Sequence, residues 1–203
     1  MADRRGNEPT PVRLLEEAIR VIEAAGEGAV NMRAVASACG VTTPIIYKAF
    51  GGREHLIVAA QAERFRRAID GVATPFATLV EAATSADEMR SVLAALLDAT
   101  HHPDRREFRR MQIEVLGAAV GRPHLRAAVD DALRSLIDRS ALALESARRR
   151  GLVRADLPVP EFLWWFFGQV QGRLLVEQTD AMVDDAAWNA TSVRAVFAAL
   201  FDD

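Results

Sequence analysis

Residues 31–56, NMRAVASACGVTTPIIYKAFGGREHL, gather the side chains whose types and spacing suit contact with another molecule. Thr42 and Thr43 open a short helical run, where free backbone N–H groups already favour a phosphate. Tyr47, one turn on, carries a hydroxyl donor on a stiff ring, and Lys48 beside it supplies positive charge. Arg33 and Arg53 lie near the starts of the flanking helices, in reach of further phosphates. Base reading would fall to Thr43, Pro44 and Lys48: threonine and proline offer apolar contact to a thymine methyl, and lysine reaches guanine acceptors. The set is modest, so shape and backbone contacts must supply much of the affinity. The chemistry indicated is non-covalent reading of duplex DNA.

Bond-breaking chemistry finds little support. No Ser/His/Asp or Cys/His arrangement is evident, and no Gly-x-x-x-x-Gly-Lys phosphate cradle exists. No cofactor is called for. His101 and His102 are adjacent, cannot share one helix face, and read as the polar end of a helix before Pro103, so no metal site is expected. His55 and His124 are lone residues at helix starts. Cys39 reads as a small residue buried at a helix end. Arg105, Arg106, Arg109 and Arg110, like Arg148–Arg150, are interleaved with or near acidic residues and read as solvated faces.

The composition fits that picture. Of 203 residues, 50% are hydrophobic and 26% charged, which excludes a disordered or fibrous chain and allows one or two domains. The net charge of −3 argues against wholesale coating of nucleic acid but allows a local contact surface. One cysteine excludes an internal disulfide and points to the reducing cytoplasm. The polar start, MADRRGNEPTP, has no secretory signal pattern. The apolar run from Phe162 to Val176 is interrupted by Gly168, Gln169, Gln171, Gly172 and Arg173, so no membrane span is expected.

Nearly every segment carries the 3.6-residue period, which predicts an all-α chain. After an arm at residues 1–9, Thr10 is the expected N-cap of a helix with Leu14, Leu15, Ala18, Ile19 and Ile22 on one stripe. Asn31 caps a second short helix ending at Cys39–Gly40, and a third runs from Val41–Pro44 to Phe50. Val41, Ile46 and Phe50 are its inward residues. A fourth helix is expected from Arg53 to about Asp70, with a break or kink at Thr74–Pro75. Ser85-x-x-Glu88 is a capping box. Asp104-x-x-Glu107 opens the next helix, Pro123 starts a long one reaching Arg150, and the last two span about 160–178 and 184–201.

The ordered series Arg33, Val35–Ala36, Gly40–Val41–Thr42, Ile46–Tyr47, Phe50 and Arg53–Glu54-x-Leu56 resembles the N-terminal domain of the tetracycline-repressor (TetR) family of bacterial transcription regulators. The resemblance covers about residues 10–60. It departs from the common pattern at Ala49, where a histidine is frequent, at Arg53 for the usual lysine, and at Pro44 early in the recognition helix. It implies a three-helix helix-turn-helix DNA-binding domain at residues 10–56, followed at 57–203 by a larger helical ligand-binding and dimerisation domain. It also implies a homodimer whose last two helices form a four-helix bundle, with Phe167, Gly168, Gln171, Gly172, Leu175, Val193 and Phe197 as candidates for the interface. Candidate ligand contacts are Phe65, Met89, Leu93, Met111, Val115, Trp164 and Gln169; Phe76 and Phe108 are further cavity candidates, and Gln169, Gln171 and Arg173 are the polar side chains available if they point inward.

The leading expectation is thus a non-enzymatic, ligand-responsive regulator: a homodimeric repressor released from a double-stranded DNA operator by a small, largely apolar effector. Two other readings stay open, a helical small-molecule-binding protein or enzyme with a non-functional helix-turn-helix, and a constitutive DNA binder without effector. A filled core would favour the last.

Overall fold

A computed structural model describes residues 10–179 and 183–202. The arm expected at residues 1–9 lies outside the described residues. Among those described, the regular elements are helical: α1 (Thr10–Ala25), α2 (Met32–Ala38), α3 (Thr43–Phe50), α4 (Arg53–Ala82), α5 (Ala86–His101), α6 (Arg106–Ala119), α7 (Pro123–Arg149), α8 (Val159–Glu177) and α9 (Asp185–Leu200), with 3-10 turns at Glu27–Ala29 and Pro103–Arg105. Two compact units emerge. One holds the chain up to Arg66 together with Ala118–Val129, and the other holds Arg67–Gly117 and Asp130 onward. The first unit thus extends past residue 56 and recruits a segment distant in sequence.

Local chemistry sets the helix starts. The Asn31 side chain accepts from the N–H groups of Arg33 (2.9 Å) and Ala34 (3.1 Å), starting α2. Ser85 accepts from Glu88 N at 3.2 Å, and the Glu88 carboxylate reaches back to the N–H and hydroxyl of Thr84, both at 2.7 Å. Those contacts hold the Glu88 carboxyl below its usual range. Asp184 caps α9 through Ala187 N. Thr10 lies inside α1 rather than capping it. His102, not Asp104, caps the 3-10 turn ahead of α6, accepting from Asp104 N.

The break expected at Thr74–Pro75 does not occur: α4 runs through Pro75 to Ala82. Proline removes the donor for the Gly71 carbonyl and costs a helix interior about 3 kcal/mol. Burial on both sides outweighs that cost. Ile69, Ala73 and Val80 are all almost inaccessible, so both halves of the helix are pinned by packing. The C-terminus of α4 is closed by Arg150, which donates to the carbonyls of Val80 (3.0 Å), Glu81 (3.2 Å) and Ala83 (2.7 Å). Arg150 is therefore a structural cap, not part of a merely solvated face.

In the first unit, Leu14, Ala18, Ile19 and Ile22 of α1 pack with Val35 and Ala36 of α2, Ile46 of α3, and Leu56, Ile57 and Ala60 of α4. The second unit's core joins Val80 and Met89 to residues of α7, α8 and α9.

Candidate DNA-reading surface and cavity

Ile46 alone anchors α3 by full burial, with Val41 and Phe50 half-buried beside it. The opposite side is left to solvent. Thr42, Pro44, Tyr47 and Lys48 are exposed, Tyr47 to 55%, and Thr43 is half-buried. Thr42 is the N-cap in backbone geometry, but its hydroxyl makes no capping bond. Pro44 brings no N–H to the first turn, where helical partners are missing in any case. Gly40 turns the chain from α2 to α3 at φ +67°, and Gly51 ends α3 in the left-handed region at φ +84°. Arg33 is exposed on α2.

Arg53 is placed differently from the sequence expectation. Its guanidinium donates to the carbonyls of Val30 (2.8 Å), Glu27 (2.7 Å) and Gly28 (3.3 Å). It ties the 3-10 turn to the start of α4, so most of its donors are already spent. The same turn carries Glu27, whose carboxylate accepts from Arg122 (2.8 and 2.7 Å) and from Gln61 (2.7 Å). The Arg122 hydrogen bonds hold the Glu27 carboxyl below its ordinary range. Arg122 also meets Glu54 at 2.9 Å. Cys39 is half-buried, its thiol donates to the Arg13 carbonyl at 3.4 Å, and burial raises its pKa, which suits a packing residue.

The second unit holds a cavity of about 240 Å³, partly open to solvent. α4 contributes Ile69, Gly71, Val72, Pro75 and Phe76; α5, α6, α7 and α8 close the remaining sides. Four phenylalanines, Phe76, Phe108, Phe166 and Phe167, dominate its wall. The polar groups come from Thr100 of α5, Arg105 of the 3-10 turn, Arg109 and Gln112 of α6, Ser140 of α7 and Gln171 of α8. Gln171 Nε2 donates to Gln112 Oε1 at 3.3 Å. A second, shallower groove of about 440 Å³ lies between α8 and α9, lined by His101, Trp165, Gln169 and Trp188 among others. Phe166 lines both spaces, and also a small void of about 50 Å³ beside Leu93.

Arg109 is 1% exposed and so is no part of a solvated face. It forms a two-pronged ion pair with Glu177, Nε to Oε2 at 3.1 Å and Nη2 to Oε1, and its Nη1 donates to the carbonyls of Thr100 (2.7 Å) and His102 (3.2 Å). Glu177 also meets Arg173 at 3.5 Å, and Arg173 pairs with Asp185. His101, facing Asn189 at 3.3 Å and the Trp188 ring, has its pKa lowered, chiefly by burial.

The other sequence candidates fall in different places. Met89 is fully buried in the core, and Val115 and Phe65, the latter in the first unit, are likewise closed off; none of the three lines the cavity. Met111 is half-buried, Leu93 reaches only the small void, Gln169 faces the α8–α9 groove, and Trp164 is 46% exposed. Phe167 and Gln171 turn to the cavity, one turn apart on the stripe that holds Leu163, Phe166 and Val170. Gly168 and Leu175 lie on the exposed stripe with Trp164 and Trp165. Gly172 is half-buried, and Val193 and Phe197 pack against the second unit's core. Arg109, Gln112, Ser140 and Phe166 were not singled out by spacing as site residues.

Residues 14–60 match the family model of the bacterial regulatory proteins of the tetR family. None of the curated proteins compared by sequence matches significantly. Among solved structures, the fold is similar to a Mesorhizobium loti protein described as a TetR-family transcriptional regulator (TM-score 0.72, 15% identity, covering 98% of this chain and 100% of that one). It is also similar to a Saccharomonospora viridis transcriptional regulator in complex with choline (TM-score 0.67, 17% identity, 95% and 98%). A third is the multidrug-binding protein EbrR complexed with proflavin (TM-score 0.58, 23% identity, 92% and 99%). No helix among the described residues is long and apolar enough to cross a membrane. Residues 14–60 thus carry a module of the tetR family of bacterial regulatory proteins, and the chain as a whole shares its fold with solved structures described as TetR-family regulators.

Proposed function

We propose that this protein is a cytoplasmic, homodimeric repressor that leaves its DNA operator when a small, largely apolar effector fills the cavity of the second unit. The observation that carries this reading is α3: an eight-residue helix anchored by Ile46, whose opposite face presents Thr42, Pro44, Tyr47 and Lys48 to solvent with no hydrogen-bond or ion-pair partner among the described residues. A recognition helix needs that arrangement, with its N-terminal residues free to meet base edges and phosphates. Thr42, Thr43, Pro44, Tyr47, Lys48 and Arg33 are its reading set, while Arg53 holds the turn that positions it. The exposed stripe of α8, with Trp164, Trp165, Gly168 and Leu175, is the face a second copy would cover. Ligand complexes of structures with this fold, choline in one and proflavin in another, support the effector half of the reading. Release requires the effector to bind more tightly to the conformation that reads DNA poorly.

The test is binding to the DNA flanking the protein's own gene across a salt series, beside a Tyr47→Phe, Lys48→Ala variant. The wild type is expected to prefer one stretch over random DNA by at least ~10³-fold. The variant should lose that preference, stay folded, and show a shallower salt slope by about one unit per lysine removed. Weak binding everywhere, with the variant behaving alike, would overturn the reading.

A further inference from the structure

We propose that the cavity takes a neutral ligand: a compact aromatic or cyclic body of about ten non-hydrogen atoms bearing one hydroxyl or amide head, read by the Gln112–Gln171 pair. The inference deepens the effector reading above and rests on it for its biological role, but its chemistry stands on the wall of the cavity.

Size and shape come first. A space of about 240 Å³, partly open to solvent, suits a compact body better than a nucleotide. Four phenylalanine rings and Pro75 around such a space suit a flat body that makes edge and face contacts. Charge comes next. Among the described residues no carboxylate lines the cavity, so a cation would meet no counter-ion there. The one buried cation on the wall, Arg109, is already neutralised by Glu177 and donates from Nη1 to two backbone carbonyls. Arg105, also on the wall, is exposed and lies over the Phe108 ring at 5.5 Å, so water screens its charge.

The polar end then decides the head group. A hydrogen-bonded pair of amides always leaves a donor at one end and an acceptor at the other. Here Gln171 Nε2 donates to Gln112 Oε1, which leaves the Gln112 amide N–H groups and the Gln171 oxygen. That oxygen is buried and accepts no hydrogen bond among the described residues, so a ligand O–H meets it once the Gln171 amide swings toward the cavity. Gln112, only 4% exposed, makes no other hydrogen bond among the described residues. An unpaired buried acceptor is costly and repels an anion, whereas an O–H or N–H would satisfy it. A hydroxyl or primary amide, donor and acceptor in one group, meets both free ends.

The test is calorimetric titration of the full chain at pH 7 with 2-naphthol, 2-naphthamide, 2-naphthoate and 2-naphthylmethylammonium, and with 2-methylnaphthalene as a headless reference. The neutral pair should bind at least tenfold more tightly than either ion. In Gln171→Leu, 2-naphthol should lose about tenfold while 2-methylnaphthalene holds or gains, which shows the variant folded and the cavity intact. Gln112→Leu should behave alike. Tighter binding of 2-naphthoate or of the ammonium, equal loss of all probes in the Leu variants, or no binding by any probe would overturn the proposal. Binding of 2-naphthol without effect on DNA affinity would leave the ligand class standing and remove the effector-release reading instead.

Discussion

The Arg109–Glu177 pair joins α6 to the end of α8, with side chains 2% and 3% exposed. Two groups so buried have surrendered their hydration, and their mutual attraction offsets that loss only while both are present. Replacing one strands the other. Arg109→Met leaves Glu177 with Arg173 alone, at 3.5 Å. Glu177→Met leaves Arg109 and Arg173 in the interior, with Asp185 as the remaining acid contacting Arg173. Each single change should cost about 3–5 kcal/mol. At ~2–4 °C per kcal/mol for a chain of this length, that lowers the unfolding midpoint by about 6–20 °C. The double variant Arg109→Met, Glu177→Met strands no charge of the pair. It still deprives the Thr100 and His102 carbonyls of their donor, at about 1 kcal/mol each, so its cost should sit near 2–3 kcal/mol. The double should therefore be more stable than either single. Urea unfolding followed by tryptophan emission is the appropriate assay, because Trp164, Trp165 and Trp188 all lie in the second unit. Additive losses, or singles costing less than ~1 kcal/mol as at an exposed pair, would refute the claim that the bridge is buried and coupled.

Three further outcomes follow from particular contacts. The Glu27–Arg122 bridge, about a quarter exposed on each side, should give the wild type ~1 kcal/mol over Arg122→Ala at pH 7; because the folded Glu27 pKa is depressed, that advantage is full above the unfolded value near ~4.3 and lost as pH falls through the folded one, so melting curves from pH 7 to 3 should converge at the acid end, and a constant gap refutes the assignment. Pro75→Ala restores a donor for the Gly71 carbonyl inside α4 and should stabilise the protein by about 1–3 kcal/mol, read in urea; a destabilised variant would mean that the ring's packing in the cavity wall outweighs the missing hydrogen bond. Phe166→Ala removes the ring shared by the cavity, the groove and the small void, so it should cost about 2–4 kcal/mol and admit naphthyl probes extended by a further ring; unchanged size selectivity would show that Phe166 is not the partition.

The exposed face of α3 was legible because its determinants are local. Ile46 must be buried and Tyr47 and Lys48 must then face out, since successive residues on α3 are about 100° apart; Asn31 and Gly51 announce the helix ends by chemistry that acts within a few residues. The arginines illustrate what is not local. Arg53, Arg109 and Arg150 look alike in sequence, each beside acidic neighbours or in a basic run, yet all three end as donors to carbonyls, and for Arg53 and Arg150 those carbonyls lie 23 or more positions away. No helical period encodes such a partner. The cavity wall was hidden for a related reason. Phe76 and Phe108 line it and Met89 packs solidly behind it, although all three obey the same apolar spacing; whether a buried position meets atoms or empty space depends on the volumes of residues from four other helices. α8 is the extreme case. With Trp164, Trp165, Phe166 and Phe167 in succession, hydrophobicity is spread round the helix and gives its orientation no preference, so Phe167 and Gln171 could be assigned to an outer face as readily as to an inner one. What orients the helix is polar: Gln171 finds Gln112 on α6, 59 residues away in sequence, and Glu177 finds Arg109, 68 away. Both contacts turn the same broad stripe of α8 inward, and that leaves Trp164, Gly168 and Leu175 on a side exposed among the described residues.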